Sequence, residues 1–148
     1  MVVGGVDLVE LLTTYQGRIN RARYWIAVLC FVCVAIALAI LGFILAILGS
    51  VGGILLIVIS VVVYIAMIIA GIFVGIKRLH DREKSGWWLL LFMLAPSVLM
   101  ALGHMIGLGI VFSLAAFAIS IWAFVELGCL RGTVGPNPYG ADPLPGPG

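Results

Sequence analysis

Charged residues are scarce in this sequence, and the few that it has are unevenly placed. Only 9% of the 148 residues are charged, 64% are hydrophobic, and the mean hydropathy is +1.31. Residues 24–76 and residues 87–125 contain no charged side chain at all. A soluble domain of this length needs a charged surface, so the composition excludes that class. The net charge of +2 is too small to indicate nucleic-acid binding.

The sequence also lacks the pattern of a cleaved signal peptide and the pattern of a redox site. Asp7 and Glu10 precede the first cations, and the apolar run then continues well beyond a signal-peptide core. Cys30 and Cys33 form a C-x-x-C inside a predicted membrane helix, without a flanking thioredoxin-like pattern. We interpret the cysteines as packing residues and expect no metal or other cofactor.

The two charge-free stretches each have the length of a membrane hairpin. One crossing needs roughly 20 apolar residues, and each stretch is about right for two. We predict an all-α membrane protein of one domain, whose four transmembrane helices form two hairpins: residues 25–48, 54–76, 87–102 and 108–127. Residues 128–148, rich in glycine and proline, form a tail.

All eight Lys and Arg residues lie outside the charge-free stretches, so the two hairpins place them on one face of the membrane. This positive-inside pattern predicts cytoplasmic N and C termini. Part of the asymmetry follows from the short far-side turns, which offer few positions for a cation. Asn20 is expected to cap the first membrane helix, because its side-chain oxygen can accept a free backbone N–H.

Residues 6–16 predict a short amphipathic helix. Leu8, Leu11, Leu12 and Tyr15 recur with helical spacing on one face, and the opposite face is polar. The segment is too short and too charged to span a membrane. We therefore expect it to lie in the interface plane, the alternative being a helix docked on the cytoplasmic end of the bundle.

Small residues indicate where the membrane helices touch. A series of them repeats along the first helix: Ala35, Ala39, Gly42, Ala46 and Gly49. Gly71 and Gly75 form a G-x-x-x-G on the second helix. Small residues permit close approach of helices in lipid. We expect contacts within the four-helix bundle, with a homodimer seam as the alternative.

The loop between the hairpins is the densest polar segment. Its cations are typical of a topogenic loop, which they hold on the cytoplasmic side. A second interpretation is recognition of anionic lipid headgroups, because a basic residue at a membrane surface contributes about 1 kcal/mol. The residues for that role are Arg78, Arg82 and Lys84, beside Trp87 and Trp88.

Three other polar side chains could carry chemistry. Catalysis or metal binding through His80 and Asp81 is the weakest interpretation of the loop, because the pair lacks further metal ligands and a nucleophile. Glu126 is the only acid within a predicted crossing, where an ionisable group is a functional candidate. We favour a structural ion pair over a transport or proton-relay role. Its expected partner is a cation at the same level, such as Arg23, Arg78 or Arg131.

Three segments match the ordered signatures of a known family. Residues 17–25 resemble Gly-Arg-x-Ser/Asn-Arg-x-x-aromatic-Trp, and Arg-Leu-His-Asp at 78–81 with Ser-Gly-Trp-Trp at 85–88 resembles the central signature. Gly-Thr-Val-Gly-Pro-Asn-Pro-Tyr-Gly at 132–140, followed by Asp-Pro at 142–143, is similar to the C-terminal one. Pro96 fits the proline usual in the family's third helix. The chain therefore resembles the domain of unknown function 805 family, small bacterial inner-membrane proteins, over nearly its whole length.

The resemblance implies a four-helix protein of the bacterial inner membrane with no assigned activity. Family members often have Glu where this chain has Arg23, so a capping box with Asn20 is absent here. We hypothesise that the matched residues form one polar cluster at the cytoplasmic face: Arg18, Arg21, Arg78, His80, Asp81, Asn137 and Tyr139. Asp81 would pair with an arginine of the first motif, and the Pro-Asn-Pro-Tyr-Gly segment would fold back over it.

These observations favour a non-enzymatic membrane protein that scaffolds or modulates partners and contacts anionic phospholipids through its basic face. The alternative is a small transporter or channel subunit, which would need an oligomer to enclose a path. A membrane enzyme acting on a lipid headgroup rests only on His80 and Asp81. The expected partners are the bilayer and either a second copy or another membrane protein.

Overall fold

The computed structural model describes residues 2–3, 6–47 and 52–144, most of them in helices. Its helices are α1 (Leu8–Thr13), α2 (Arg21–Ile47), α3 (Gly52–Asp81), α4 (Trp87–Met105) and α5 (Gly109–Phe124). A π-helical turn, Val125–Cys129, continues directly from α5. Before α1, the two-residue strands β1 (Val2–Val3) and β2 (Val6–Asp7) pair antiparallel.

Within the described ranges, four helices are long and apolar enough to cross a membrane. The spans are Arg21–Leu45, Leu56–Asp81, Trp87–Met105 and Gly109–Cys129. They confirm the predicted all-α membrane fold, although α3 and α4 extend beyond the predicted crossings. Large apolar side chains point outward along them, as lipid contact requires: Phe43 is 68% exposed and Ile110 is 80% exposed. Of the connection between the first two predicted helices, residues 49–51 lie outside the described residues and Gly52 and Gly53 belong to α3.

The start of α2 follows from one side chain. The Oδ1 of Asn20 accepts a hydrogen bond from the backbone N–H of Arg23 at 2.9 Å. This bond satisfies one of the N–H groups that the first turn of a helix leaves without a partner. The predicted cap is therefore confirmed.

The N-terminal helix is shorter than residues 6–16. Val6 and Asp7 belong to β2, and α1 ends at Thr13. The predicted bounds are wrong because apolar periodicity does not register the pairing of the two strands that precede the helix.

The contacts of α1 are those of a docked helix, the alternative to an interfacial one. Leu11 is 5% exposed and belongs to one apolar cluster with Val74 of α3. The Nζ of Lys77 donates to the carbonyls of Glu10 at 2.6 Å and Leu11 at 3.0 Å. Carbonyls in the last turn of a helix lack intrahelical partners, so the lysine of α3 holds the end of α1.

Two glycines mark close approaches between neighbouring helices. A Cβ on Gly75 would lie 2.9 Å from Cδ1 of Leu89, and a Cβ on Gly103 would lie 2.6 Å from Cβ of Phe112. Gly75 of the G-x-x-x-G pattern is therefore used within the bundle, where α3 meets α4. Gly71 is less tightly placed, since its Cβ would lie 3.9 Å from Phe31.

Candidate functional site

One end of the bundle holds buried charges that come from three distant parts of the sequence. Arg18, Arg78, Asp81 and Glu126 are each at most 8% exposed. We call this region the charged end, and it consists of residues 17–25, 77–88 and 125–144. An ion taken out of water costs several kcal/mol unless it is paired, so the arrangement of these groups decides the local fold.

Asp81 lies at the centre of the charged end and binds two arginines. Its Oδ1 accepts hydrogen bonds from Arg18 Nε at 3.2 Å and Nη2 at 3.1 Å. Its Oδ2 accepts one from Arg78 Nη1 at 2.6 Å. Asp81 is 2% exposed and Arg78 is fully buried. Because two cations share one carboxylate, the cluster carries a surplus positive charge that needs further acceptors.

Backbone carbonyls after α5 supply those acceptors. Arg18 donates to the carbonyls of Gly135 and Thr133, both at 2.7 Å. Arg78 donates to the carbonyl of Leu127 at 2.7 Å and also to that of Leu130. The planar guanidinium carries five N–H donors in a fixed fork, so each arginine can join the carboxylate to the tail.

Gly132 is required by the same packing. A Cβ at this position would lie 2.0 Å from Oδ2 of Asp81. The next residue, Thr133, donates its backbone N–H to the carbonyl of Asp81 at 2.9 Å. The tail therefore crosses directly over the end of α3, where only glycine fits.

His80 and the Pro-Asn-Pro-Tyr-Gly segment form a second layer. The rings of His80 and Tyr139 stack with centroids 4.0 Å apart and planes 6° apart. The Nδ1 of His80 lies 3.2 Å from the carbonyl oxygen of Gly17. Asn137 donates its side-chain N–H to the carbonyl of His80 at 2.8 Å. The tail is thus held to α3 through both a ring contact and a hydrogen bond.

Glu126 pairs with Arg82, which is none of the three cations named from the sequence. Arg82 Nε lies 3.0 Å from Glu126 Oε1, and the side chains are 23% and 6% exposed. Arg82 also donates to the carbonyl of Arg131. An ion pair of this kind is the structural role expected for Glu126, with the partner corrected.

The π-helical turn places this part of the chain. The N–H of Leu130 donates to the carbonyl of Val125 at 3.1 Å, five residues back. Trp25 donates its indole N–H to the carbonyl of Gly128 at 2.9 Å, and a Cβ on Gly128 would lie 2.6 Å from its ring. The extra residue in the turn leaves the carbonyl of Gly128 available to accept this bond from Trp25. Single π-helical turns of this kind are frequent at functional sites.

The structure does not place all the predicted headgroup ligands at a surface. The prediction that Arg78 binds lipid headgroups is wrong, because its guanidinium is fully buried and bound within the protein. Lys84 lies over the Trp88 ring, with Nζ 4.9 Å from its centroid, and Trp87 is 77% exposed. Arg21 is exposed and donates to the carbonyl of Cys129 at 3.3 Å.

A cleft of about 250 Å³ opens beside the cluster, and Arg21 and Arg131 both line it. Neither arginine forms an ion pair within the described part of the chain. Asp142, at the rim, accepts hydrogen bonds from the N–H groups of Leu144 at 3.0 Å and Gly135 at 2.8 Å. These two bonds lower the pKa of Asp142.

Arg18 and Arg78 are thus bound within one hydrogen-bonded cluster, whereas Arg21 and Arg131 are exposed at its edge. The cluster brings together six of the predicted residues: Arg18, Arg78, His80, Asp81, Asn137 and Tyr139. It leaves Arg21, Lys84 and Trp87 outside that cluster. Over residues 2–3, 6–47 and 52–144, no three His, Cys, Asp or Glu side chains lie together as a metal ion would need.

Comparison with known proteins gives a match over most of the chain. A family model described as "Protein of unknown function (DUF805)" matches residues 12–141. The inner membrane protein YhaI of Escherichia coli strain K12 is 30% identical over 129 residues, which cover 87% of this chain and 85% of that protein. YhaI of Escherichia coli O157:H7 matches with the same values. No solved structure matches the chain.

Proposed function

The chain belongs to the DUF805 family of proteins of unknown function, and from that premise we propose a non-enzymatic scaffold or modulator of the bacterial inner membrane. Its charged end faces the cytoplasm and contacts anionic lipids. The name of the 30% identical relative supports the inner-membrane location. The placement of all eight Lys and Arg residues outside the charge-free stretches supports the orientation.

The observation that carries the lipid contact is the pair of exposed arginines at one cleft. Arg21 and Arg131 line it together, beside the acids Asp81 and Asp142. Asp81 binds Arg18 and Arg78. Asp142 accepts two backbone N–H groups. Because Asp81 is shared by two buried arginines, the single carboxylate of Asp142, which also interacts electrostatically with Arg131, leaves the described lining with a surplus of positive charge. An anionic phosphate complements that surplus.

The position of the cleft supports a lipid as the source of that anion. Arg21 begins the first span, and Trp25 lies one turn farther along the same helix. Tryptophan favours the membrane–water interface. This preference of Trp25 supports a position of the cleft at the level of the phospholipid phosphates. Each basic residue near an anionic membrane surface contributes about 1 kcal/mol.

Polar groups within the spans give less support to the transporter alternative. Ser120 lies in the interior of α5, and its hydroxyl donates to the carbonyl of Ala116 in the same helix at 2.9 Å. This bond uses the donor of the hydroxyl within its own helix, so the group offers only acceptor lone pairs to a path across the membrane.

The lipid contact is tested by native mass spectrometry of the full chain released from detergent with added phosphatidylglycerol or phosphatidylcholine. We expect phosphatidylglycerol to be retained in preference. The Arg21→Gln/Arg131→Gln variant should lose that preference by about tenfold to thirtyfold, the effect of about 1 kcal/mol for each arginine.

Lys84→Gln is the matched control, because Lys84 lies over Trp88 and does not line the cleft. It should retain phosphatidylglycerol nearly as the wild type does. Equal retention of the two lipids by the wild type, or an unchanged preference in the double variant, would contradict the lipid contact. A scaffold also requires a partner that co-purifies from native membranes in defined stoichiometry.

A further inference from the structure

A second concave site lies on the other side of the charged end, between α3 and α4. It is a groove of about 820 Å³, a volume in the range of small-molecule sites. Its walls within the helices are apolar: Ile72, Ile76, Leu89, Leu90, Met93 and Leu94. His80 and Tyr139 lie at one end of it. The groove is therefore amphipathic along its length, with its polar groups at the charged end.

His80 contributes a polar atom that has no hydrogen-bond partner among the described residues. The carbonyl oxygen of Gly17 can only accept, so the proton of the neutral ring lies on Nδ1. The Nε2 is then a hydrogen-bond acceptor, and no described residue donates to it. The side chain is held by stacking on Tyr139 and is 91% buried, since its exposure is 9%. Every side-chain N or O atom of the described residues that is fully out of reach of solvent has a partner, so this Nε2 is still accessible, and His80 lines the groove. A donor that enters the groove from outside the chain can therefore bind it.

The depth of the groove matches one leaflet of a bilayer. His80 and Ile72 are eight positions apart on α3, which corresponds to about 12 Å at 1.5 Å per residue. The hydrocarbon core of a bilayer is about 30 Å thick. An occupant that enters from the membrane would thus place an apolar chain beside Ile72 and a head beside His80.

The lining excludes a charged head at this position. None of the described residues that line the groove is Lys, Arg, Asp or Glu. A phosphate beside His80 would lose its hydration without gaining an ionic partner, at high cost. We propose that the groove binds an uncharged membrane lipid whose hydroxyl head donates a hydrogen bond to Nε2 of His80. Diacylglycerols and other long-chain alcohols share this chemistry.

The test compares two probes that differ only in the donor. The full chain in detergent is offered dioleoylglycerol or the methyl ether of dioleoylglycerol, and native mass spectrometry measures the one-to-one adduct. The alcohol should be retained about two- to tenfold more than the ether, the factor for one hydrogen bond. Equal retention of both probes would overturn the proposal.

Matched histidine variants assign the preference to one residue. In His80→Asn the amide can still donate to the carbonyl of Gly17, but the Nε2 acceptor is gone, so the preference should disappear. His104→Asn makes the same change outside the groove and should keep it. Loss of the preference in both variants, or in neither, would contradict the assignment to His80.

A groove-filling variant keeps the proposal testable if His80→Asn does not fold. Leu90 lines the groove and is 46% exposed, so Leu90→Trp should obstruct the groove and weaken both adducts. Unchanged adducts in Leu90→Trp would overturn the site. Retention of phosphatidylglycerol that responds to Arg21 and Arg131 but not to Leu90 belongs to the basic cleft, so the two proposals fail separately.

Discussion

The charged end and the membrane spans of this protein are held together by different physics. Along the spans, large apolar side chains such as Phe43 and Ile110 face outward. Lipid tails are as apolar as these residues, so no hydrophobic force drives the helices together. At the charged end, every buried side-chain N or O atom of the described residues that is fully out of reach of solvent has a hydrogen-bond partner. The two hairpins and the tail are therefore joined by the polar contacts of the charged end together with one apolar cluster, which lies between α3, α4 and the π-helical turn.

The two regions should therefore respond differently to small changes. A network of buried charges is stabilising only while it is complete, because each member that loses its partner becomes an uncompensated charge. Lipid-facing side chains can be exchanged for other apolar ones with little effect. Substitutions in the charged end should therefore lower stability by amounts that follow how deeply each charge is buried.

Removal of Asp81 should lower the stability of the protein more than any other single change considered. In Asp81→Ala, Arg18 and Arg78 remain buried without their shared carboxylate. We expect a loss of about 3–5 kcal/mol in the free energy of unfolding, the usual cost of breaking a buried ion pair. Thermal unfolding in detergent, followed by circular dichroism, measures it. Glu83→Ala removes an exposed carboxylate in the same loop and should change stability by less than about 0.5 kcal/mol. Equal melting of Asp81→Ala and wild type would show that the cluster does not hold the fold.

Gly132→Ala tests the close passage of the tail over α3. The new Cβ would collide with the carboxylate of Asp81, which two arginines hold in place. We expect a loss of about 1–3 kcal/mol, typical of overpacking. Gly109→Ala is the control, since nothing lies within 4 Å of a Cβ at that position. If the two variants unfold alike, the tail does not pass over Asp81 as described.

The Arg82–Glu126 pair should have a smaller effect, because Arg82 is partly exposed. A double-mutant cycle with Arg82→Gln and Glu126→Gln should give a coupling energy of about 1 kcal/mol. Stability in detergent and proton uptake by vesicles are measured for each member of the cycle. A coupling near zero, together with proton uptake that depends on Glu126, would favour the relay role instead.

Asp142 gives the smallest predicted effect, visible mainly in its pH dependence. The N–H groups of Leu144 and Gly135 lower its pKa, so its folded value lies below its unfolded one. Its contribution is then present above the unfolded pKa, near 4, and is lost as the pH falls through the folded value. As the pH falls through this range, the Gly135 amide should lose protection from hydrogen exchange. In Asp142→Asn, this protection should depend less on pH. Glu83→Gln should leave the titration of that amide unchanged.

Features that depend on neighbouring sequence could be predicted without the structure. The four spans follow from the lengths of the charge-free stretches, and the cap by Asn20 follows from its place before an apolar helix. Both rest on local order and local hydropathy. The family signatures also directed attention to Arg18, Asp81 and the segment around Asn137.

Features that depend on how distant segments meet could not be predicted in the same way. Sequence reasoning did not choose Arg82 as the partner of Glu126, because several cations were expected at that level. It missed Lys77 as the residue that holds α1, and it assigned Arg78 to the surface. The π-helical turn adds one residue within a helix that is otherwise continuous, and hydrophobic spacing gives no sign of it. For the passage of the tail over α3, the sequence offered one sign, Gly132 in the C-terminal signature. A glycine is required there because the carboxylate of Asp81 leaves no space for a Cβ.

The source of the carbonyls around Arg18 and Arg78 has a consequence for the order of synthesis. Arg18 is made before both hairpins, whereas Thr133 and Gly135 are made after them. Domains form their contacts as the chain emerges, from the N-terminal part onward. Until the segment of Thr133 and Gly135 is made, these guanidinium groups must stay in water or at lipid headgroups. The two hairpins then lie in the membrane without the contacts to the tail that join them. A segment that is made after both hairpins is therefore the one that completes their connection.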